Sequence, residues 1–365
     1  MRKYTIVVIG VIGLVGLSGA VARGQQEGRR GGAAATQPAG QRGGAAAVPA
    51  APIGKTAFWT SEEIQARWKD NEANKRNNSR LFEGPTNITA NVRIVLDGDP
   101  PATHDTTADL WIVTAGTAIA RTDGEIVENS GTRSIRNGVQ RTVHPGDILY
   151  VPPGVPHHFT DIQGFRAWLM RFDTIGLVST QPAGQRGAAA AAEPAGQRGR
   201  GAAAAAEPAG QRGRGAAAAQ PPVPDLPTDK TAFWTNADLQ ARWKDNEANK
   251  RINSRLYNGP ANISANVRIV LDNDPPATHE GTADLWLVTE GTAIARTDGE
   301  IVDNSGTKSI RNGVQRPVHP GDLLYVPPDV PHHFTDLKGF RALLIRFDTV
   351  GWVQSRPPAQ RGGGQ

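Results

Sequence analysis

The 365-residue chain contains one long stretch of sequence twice. Residues 56–176 return as residues 231–351 at a constant offset of 175, without insertion or deletion, and 24 of the 121 aligned positions differ. A repeat of this length is a whole domain rather than one unit of a solenoid. The duplication therefore predicts two domains of the same fold, with any functional site built once and present twice.

The histidines are confined to the two repeats, which hold all eight of them. Each copy has a histidine followed five residues later by an aspartate, and each later has a proline-rich turn that ends in two adjacent histidines. These features are His104, Asp109 and Pro152 to His158 in the first copy, and His279, Asp284 and Pro327 to His333 in the second. Imidazole and carboxylate groups are common ligands of divalent metals, so the pattern indicates a duplicated metal site.

Composition excludes several other kinds of site. The chain has no cysteine, which rules out disulfides, thiolate nucleophiles and cysteine-ligated zinc. Each repeat carries 15 acidic residues against 12 or 13 basic ones, so the net charge of +5 comes from the segments outside the repeats. Mildly acidic domains argue against a nucleic-acid-binding face on the folded parts.

The first 22 residues predict export. A short basic start precedes an apolar, glycine-rich stretch over residues 4–17, and Ala20, Val21 and Ala22 offer a small-residue cleavage site. We expect a signal peptide over residues 1–22 and a secreted or periplasmic protein without a stable membrane anchor. An uncleaved N-terminal anchor is the alternative. N-terminal sequencing of protein recovered from its native cell would distinguish the two.

Three segments outside the repeats predict disorder. Residues 23–54, 177–230 and 352–365 are rich in Ala, Gly, Gln, Pro and Arg, and they hold too few large apolar residues to bury a core. Their Arg-Gly stretches suggest a polyanionic partner, but the absence of interleaved aromatic residues favours a solvated linker and tails. The folded domains are then residues 55–176 and 231–351, and we expect each to fold alone.

Within each repeat, one helix is followed by β structure. In the first copy, Thr60 and Glu63 fit a capping box, and Ile64 and Trp68 are spaced to share one helical face. Short apolar runs then alternate with turns rich in Gly and Pro, a pattern that favours a β-sandwich or barrel. These runs are residues 92–96, 110–113, 117–120 and 148–151.

Two spaced motifs resemble those of the cupin superfamily. Its second motif is a glycine, five residues and then PxGxxH, which Gly146 and Pro152 to His157 match at every spacing. In its first motif, HxH followed by Glu and Gly, alignment on Gly116 puts Asp109 at the glutamate and His104 at the second histidine. The matching residues of the second repeat are His279, Asp284, Gly291, Gly321, Pro327 and His332. The resemblance covers both repeats.

The resemblance implies an all-β chain, a bicupin of two double-stranded β-helix (jelly-roll) barrels joined by the linker, each with a short N-terminal helix. Three departures stand out. The first histidine of the first motif is Ala102, or Ala277 in the second copy, and the carboxylate is an aspartate. In the second copy Asp329 replaces the turn glycine, Gly154, where a positive φ would strain it.

The resemblance also implies the metal ligands. They are His104, Asp109 and His157 in the first barrel, and His279, Asp284 and His332 in the second. Alternation along a strand puts Asp109, Trp111 and Val113 on one face, so Asp109 meets both histidines if that face is the lumen. Two imidazoles and one carboxylate leave open coordination positions and suit Fe, Mn, Ni or Zn. A site without metal, whose side chains are satisfied by hydrogen bonds, is the alternative.

Other polar side chains near these ligands have two interpretations each. His158 and His333 should point away from the lumen, because neighbours in an extended chain alternate. One arginine of the pair Arg93 and Arg171 could enter the lumen and hold an anionic substrate, but an outward arginine paired with a carboxylate is the commoner arrangement. The equivalent pair in the second repeat is Arg268 and Arg346. The tryptophans are expected in the core rather than at a ligand platform.

Three functions are compatible with this pattern, because the fold hosts all of them. The first is an exported protein that binds a divalent metal and a small-molecule ligand in each barrel. The second is a metal-dependent oxygenase, isomerase or lyase acting on a small organic substrate. The third is a storage or scaffold protein with empty barrels. No residue stands out as a general base, so we favour the first. The two barrels are expected to pair within the chain or in a dimer.

Overall fold

The computed structural model describes residues 54–83, 88–173, 223–257 and 263–348, with residues 50 and 259. The predicted signal peptide, the tails and most of the linker lie outside these residues, and the domain boundaries stay predictions. By backbone contacts the chain divides into Met1–Ala46 and Ala47–Gln365, and the second unit contains both repeats.

A capped helix opens each repeat. Helix α1 spans Ser61–Ala73; the Thr60 hydroxyl accepts from the backbone N–H of Glu63, and the Glu63 carboxylate accepts from the backbone N–H of Thr60. Ile64 and Trp68 lie on its buried face, so the predicted capping box and helix are confirmed. The equivalent helix α2 is Asn236–Asn249, capped by Thr235 and Asp238. Neither helix is long and apolar enough to cross a bilayer.

Antiparallel strands make up the rest of each repeat. The first repeat has β1 (Ala57–Trp59), β2 (Asn78–Glu83), β3 (Ile88–Ile94), β4 (Thr107–Thr122), β5 (Glu125–Asn129), β6 (Thr132–Arg136), β7 (Val139–Val143), β8 (Ile148–Val151) and β9 (His157–Asp173). The second repeat has β10 (Ala232–Trp234), β11 (Asn253–Arg255), β12 (Ser264–Ile269), β13 (Thr282–Thr297), β14 (Glu300–Asn304), β15 (Thr307–Arg311), β16 (Val314–Val318), β17 (Leu323–Val326) and β18 (His332–Asp348).

Two long strands, β4 and β9, build both layers of the first barrel. The first half of β4 pairs with β8 and with the last part of β9, whereas its second half pairs with β7 and with the first part of β9. The register shifts between these halves, at residues 113–119, where the strands bend. This is the double-stranded β-helix, and the predicted fold class is confirmed. The runs 110–113 and 117–120, predicted as separate strands, are the two halves of β4.

The bend in β4 depends on Gly116. Its φ is +66°, and a Cβ atom there would lie 2.2 Å from the backbone oxygen of Gly164 on β9. Only a residue without a side chain allows the two backbones to approach this closely. Gly116 therefore has a structural reason to be glycine, and Gly291 takes the same place in the second repeat, with φ +67°.

Strand β8 shows how the cores are arranged, because all four of its residues are buried. Leu149 and Val151 face the lumen of the first barrel, with Trp111, Phe159 and Leu169. Ile148 and Tyr150 face the opposite way, into a second core. Side chains of a strand point alternately to its two faces, so burial on both faces means that something covers the outside of the barrel.

The other repeat provides that cover. The core outside the lumens contains residues of both repeats, among them the pair Tyr150 and Tyr257 and the pair Phe82 and Tyr325. The ring centroids of these pairs lie 5.9 and 5.0 Å apart. One hydrophobic core is thus shared between the repeats, and each lumen has a separate one.

The repeats also exchange their first strands. β1 of the first repeat pairs with β17 of the second, and β10 of the second repeat pairs with β8 of the first. Each seven-stranded sheet therefore includes one strand from the other repeat. The intramolecular pairing expected from the sequence is present in the structure.

Polar contacts hold the exchanged segments at both ends. Ahead of β1, the backbone N–H of Thr56 donates to Asp298 at 2.7 Å; after it, the N–H of Ser61 donates to Asp322 at 2.7 Å. The equivalent donors Thr231 and Asn236 reach Asp123 and Asp147 at 2.6 and 2.8 Å. These carboxylates satisfy backbone donors that a strand end or a helix start leaves unpaired. The exchange and the shared core argue against independent folding of each repeat. A lone repeat would leave the edge of its sheet unpaired and its side of the shared core exposed to water.

The turn before His332 contains the strain expected from the sequence. Asp329 has φ +62°, and its counterpart Gly154 has φ +76°. No heavy atom lies within 4 Å of a Cβ placed at Gly154, so the cost of a side chain there is a backbone cost alone. The first repeat meets this constraint with glycine, whereas the second accepts the strain with aspartate.

The strand exchange predicts a specific crosslink. Phe58 lies directly opposite Leu324, and such pairs have Cα atoms about 4.5–5.5 Å apart, within disulfide range. In the cysteine-free chain, the pair Phe58→Cys and Leu324→Cys should form a disulfide. After proteolysis of the linker, the two halves should then remain one band on a non-reducing gel and separate under reduction.

The control is the pair Phe58→Cys and Leu149→Cys, which would be opposite one another if each repeat kept its own first strand. This pair lies within one half and should not crosslink. A disulfide in the control and none in the test pair would show that the strands are not exchanged.

The strained turn predicts opposite effects at two equivalent positions. Gly154→Asp should lower the free energy of unfolding by about 1 kcal/mol, because the left-handed region disfavours a side chain, and Asp329→Gly should raise it. Gly154→Ala should cost more than Gly154→Asp, because alanine tolerates this conformation less well. Denaturant unfolding measures all three, and effects of the same sign at both positions would contradict the assignment of strain.

Candidate metal centre

The registers around β4 bring the predicted site residues together. Asp109 lies near the start of β4, opposite Val151 of β8 on one side and Arg171 of β9 on the other. Its side chain is fully buried and faces the lumen, as Trp111 and Val113 do two and four residues later. The strand face predicted from alternation is therefore correct.

The two histidines approach Asp109 from neighbouring segments. His157 is the first residue of β9, and its backbone pairs with Ala102 through hydrogen bonds of 2.9 and 3.0 Å. His104 follows two residues after Ala102, in the segment before β4, where its carbonyl accepts from the N–H of Gly154 at 2.8 Å. The proline-rich turn thus fixes the position of both imidazoles.

The distances between the side chains suit a metal ion. Asp109 Oδ2 lies 3.4 Å from His104 Nε2 and 3.5 Å from His157 Nε2. Two donors bonded to one ion at about 2.1 Å lie about 3.0 Å apart at a right angle and about 3.4 Å apart at the tetrahedral angle. In the second repeat, His279 and His332 both lie 3.5 Å from Asp284. Both groups therefore have the donor types and spacing that a divalent metal requires.

The protonation state of His157 also suits a ligand. Its Nδ1–H donates to the carbonyl of Val155 at 3.4 Å, which leaves the lone pair of Nε2 facing Asp109. Burial lowers the pKa of His157 and, in the second repeat, lowers the pKa of His332 to about 4. His157 and His332 are thus neutral at pH 7, and a backbone carbonyl orients each of these two rings in the way typical of metal-ligating histidines.

Arg171 is a further member of the group. Its Nε donates to Asp109 Oδ1 at 3.0 Å, and its Nη2 lies 3.3 Å from Asp109 Oδ2 and 3.0 Å from His104 Nε2. Burial alone would raise the pKa of Asp109, but the contact with His104 and the positive charge of Arg171 outweigh it and hold the pKa below its usual value. The carboxylate is therefore ionised in the metal-free protein, as a ligand must be.

The expectation of an outward arginine is wrong for both members of the pair. Arg171 lies opposite Asp109, and Arg93 lies opposite Ala167, whose side chain belongs to the lumen core. The guanidinium carbon of Arg93 lies 5.8 Å from the ring centroid of Trp111, and its Nε is buried without a hydrogen-bond partner among the described residues. The lumen therefore contains two arginines beside one carboxylate.

The residue that departs from the cupin motif is also placed at the site. Ala102 and His157 form a directly opposed antiparallel pair, and the side chains of such a pair lie on the same face. The Cβ of Ala102 therefore projects toward the side on which His157 lies. The position of the missing third imidazole is retained in the backbone, and Ala277 pairs with His332 in the same way.

The remaining histidines lie apart from the metal-binding group. His158 turns away from the lumen, and its Nε2 lies 2.8 Å from the carbonyl of Asp99. His144 is exposed, next to Asp147 at 3.7 Å. Trp68 and Trp168 belong to the shared core, and Trp111 belongs to the lumen core. These placements agree with the sequence predictions for His158 and for the tryptophans as core residues.

Comparison with known proteins finds similar solved structures but no family. No protein-family model and no curated protein matches this chain. Solved structures that resemble it include a salicylate 1,2-dioxygenase from Pseudaminobacter salicylatoxidans, at 13% identity over 82% of this chain and 86% of that one, with a TM-score of 0.48. Another is Streptomyces albus HEPD with 2-hydroxyethylphosphonate and Fe(II) bound, at 14% identity over 81% and 76%, with a TM-score of 0.39.

A third is the oxalate decarboxylase of Bacillus subtilis, a protein with Mn(II) centres, at 13% identity over 80% of this chain and 72% of that one, with a TM-score of 0.34. Likeness at this level carries no conclusion about activity. The fold is established by the strand order, the registers and the spaced motifs of this chain, which confirm the resemblance to cupins at the level of fold.

Proposed function

We propose that each barrel binds one divalent metal ion through two histidines and one aspartate, and that it holds a small anionic ligand beside the metal. The convergence of His104, Asp109 and His157, whose ligand atoms all lie within 4.8 Å of one another, supports this most directly. A bound ion of this kind supplies Lewis acidity and open positions for water or ligand. Iron, manganese, nickel and zinc all accept this donor set.

The charge of the lumen supports an anion as the ligand. Arg93 and Arg171 supply two positive charges against the one negative charge of Asp109. Burial and the charge of Arg171 lower the pKa of Arg93, so its charged form is poorly compensated in the protein alone. An anion placed between the arginines would supply the missing charge and accept from the free Nε–H of Arg93.

Binding is preferred over catalysis for a specific reason. The acid–base side chains at the site, His104, Asp109 and His157, all belong to the ligand set, and Arg171 cannot lose its proton. Among the residues that the structure describes, no general base is then left beside the metal for the oxygenase, isomerase or lyase alternatives. We also propose that the protein is exported, on the strength of its signal-like first 22 residues.

Metal content tests the first part of the proposal. Untagged protein should hold two divalent ions per chain, and His157→Ala with His332→Ala should remove both, because losing one of three ligands should weaken binding by more than about a hundredfold. The adjacent substitutions His158→Ala with His333→Ala should leave two ions, because those rings turn away. Elemental analysis gives the counts. Equal metal content in the two double variants would contradict the assignment of His157 and His332 as ligands. An absence of metal in native protein would favour the empty-barrel alternative.

Ligand charge tests the second part. Metal-loaded protein should bind acetate but not acetamide, which has nearly the same shape without the charge. Arg93→Gln should weaken acetate binding by about tenfold, the equivalent of one charge-assisted hydrogen bond. Isothermal titration calorimetry measures both. Equal affinity for the acid and the amide would show that charge does not select the ligand.

A further inference from the structure

The guanidinium of Arg171 occupies the edge of the site where the metal ligands meet. Of its three contacts, one joins Nε to Asp109 Oδ1, on the side of the carboxylate away from the histidines. The other two join Nη2 to Asp109 Oδ2 and to His104 Nε2. Those two acceptors are the atoms that would bind a metal.

The contact between Arg171 and His104 occupies the lone pair of His104 Nε2. A guanidinium only donates and keeps its charge at all relevant pH values, so the 3.0 Å contact makes His104 Nε2 the acceptor. A nitrogen that accepts this hydrogen bond cannot bind a metal with the same lone pair. Arg171 and the metal therefore require the same atom of His104.

The same arrangement occurs in the second repeat. Arg346 donates from Nε to Asp284 Oδ1 at 2.8 Å, and its Nη2 lies 3.1 Å from Asp284 Oδ2 and 2.9 Å from His279 Nε2. In both barrels the arginine lies directly opposite the aspartate on the neighbouring strand. The strand register thus keeps a cation next to the carboxylate at all times.

We infer that Arg171 and Arg346 are internal competitors of the metal: each donates to the histidine nitrogen that the ion needs, and must release it when the ion binds. This inference rests on the proposed metal site, and it assigns to the arginine of each barrel the control of metal affinity. The contact through Nε involves an oxygen that the metal does not need, so the arginine can remain bonded to the aspartate after it releases the histidine.

Two consequences follow from this competition. The metal-free site is stable, because the buried carboxylate has a charged partner. The metal must also displace the hydrogen bond between the arginine and the histidine, which lowers its affinity below what two imidazoles and a carboxylate give. This cost is the same for every ion, so the arginine lowers all metal affinities by one factor, and only ions that bind nitrogen and oxygen donors strongly, such as zinc or nickel, keep a high affinity.

The test replaces both arginines in the full-length, untagged chain. Arg171→Gln with Arg346→Gln keeps a donor for the aspartate but is too short to span to the histidine. Zn²⁺ and Mn²⁺ dissociation constants, measured by competition with a chelator, should fall at least about tenfold, the equivalent of one charge-assisted hydrogen bond. A merely structural role would have the opposite effect, since loss of structure weakens metal binding.

The control removes the same charge from the same strands. Arg166 and Arg341 lie five residues earlier on β9 and β18 and bond to Glu72 and Glu247 of the helices, outside the lumens. Arg166→Gln with Arg341→Gln should leave both dissociation constants unchanged. The double variant Arg171→Lys with Arg346→Lys keeps the charge and removes the second donor. Its metal dissociation constants should fall by less than those of the glutamine double variant. It replaces the glutamine double variant in the test if that protein does not fold.

Each outcome has a distinct meaning. Equal affinities in native protein and in both Arg171/Arg346 double variants overturn the competition and leave the metal site standing. Binding by the variants but not by native protein supports the competition and overturns metal binding by the native chain. Weaker binding by the variants also overturns the competition. If neither native protein nor variants bind metal, both the inference and the proposed site are wrong.

Discussion

The register between β4 and β9 is the constraint on which the rest of the first repeat depends. The two strands pair along almost their whole length and bend together where the register shifts, so one pair of strands contributes to both layers of the barrel. The same register sets Asp109 opposite Arg171 at one end. A slip of one residue would turn every side chain to the other face, so barrel and site would be lost together.

The duplication has a structural meaning beyond two copies of a site. Each repeat covers the outside of the other's barrel and completes its sheet, and each contributes to one shared core. That core has small asymmetries, as at Phe82, whose counterpart is Tyr257. The Tyr257 hydroxyl is buried without a hydrogen-bond partner among the described residues, and burial raises its pKa well above the usual value. The second repeat thus has a cost that phenylalanine avoids in the first.

The site combines the features of a metal-binding site with those of a buried ion pair. The three donors have the spacing that a metal requires, yet the arginine gives the same carboxylate a charged partner when no metal is bound. Buried charge is costly unless it is paired, so a site that exchanges a metal needs some second way to satisfy its carboxylate. The neighbouring arginine supplies it. The loss of one motif histidine, at Ala102, leaves fewer donors to hold the metal against this competitor.

The sequence by itself determined the duplication, the capped helix, the fold class, the strained turn at Asp329 and the three side chains that meet in each barrel. These features depend on local spacing: a capping box spans four residues, strand alternation has period two, and His104 and Asp109 are close along the chain. Only the tertiary structure decided that residues 110–113 and 117–120 form one bent strand, that the repeats exchange β1 and β10, and that Arg171 enters the lumen. These depend on register and on contacts between residues 62 to more than 260 positions apart. Because the two repeats are so similar in sequence, the sequence cannot reveal whether β1 or β10 pairs with a strand of its own repeat or of the other.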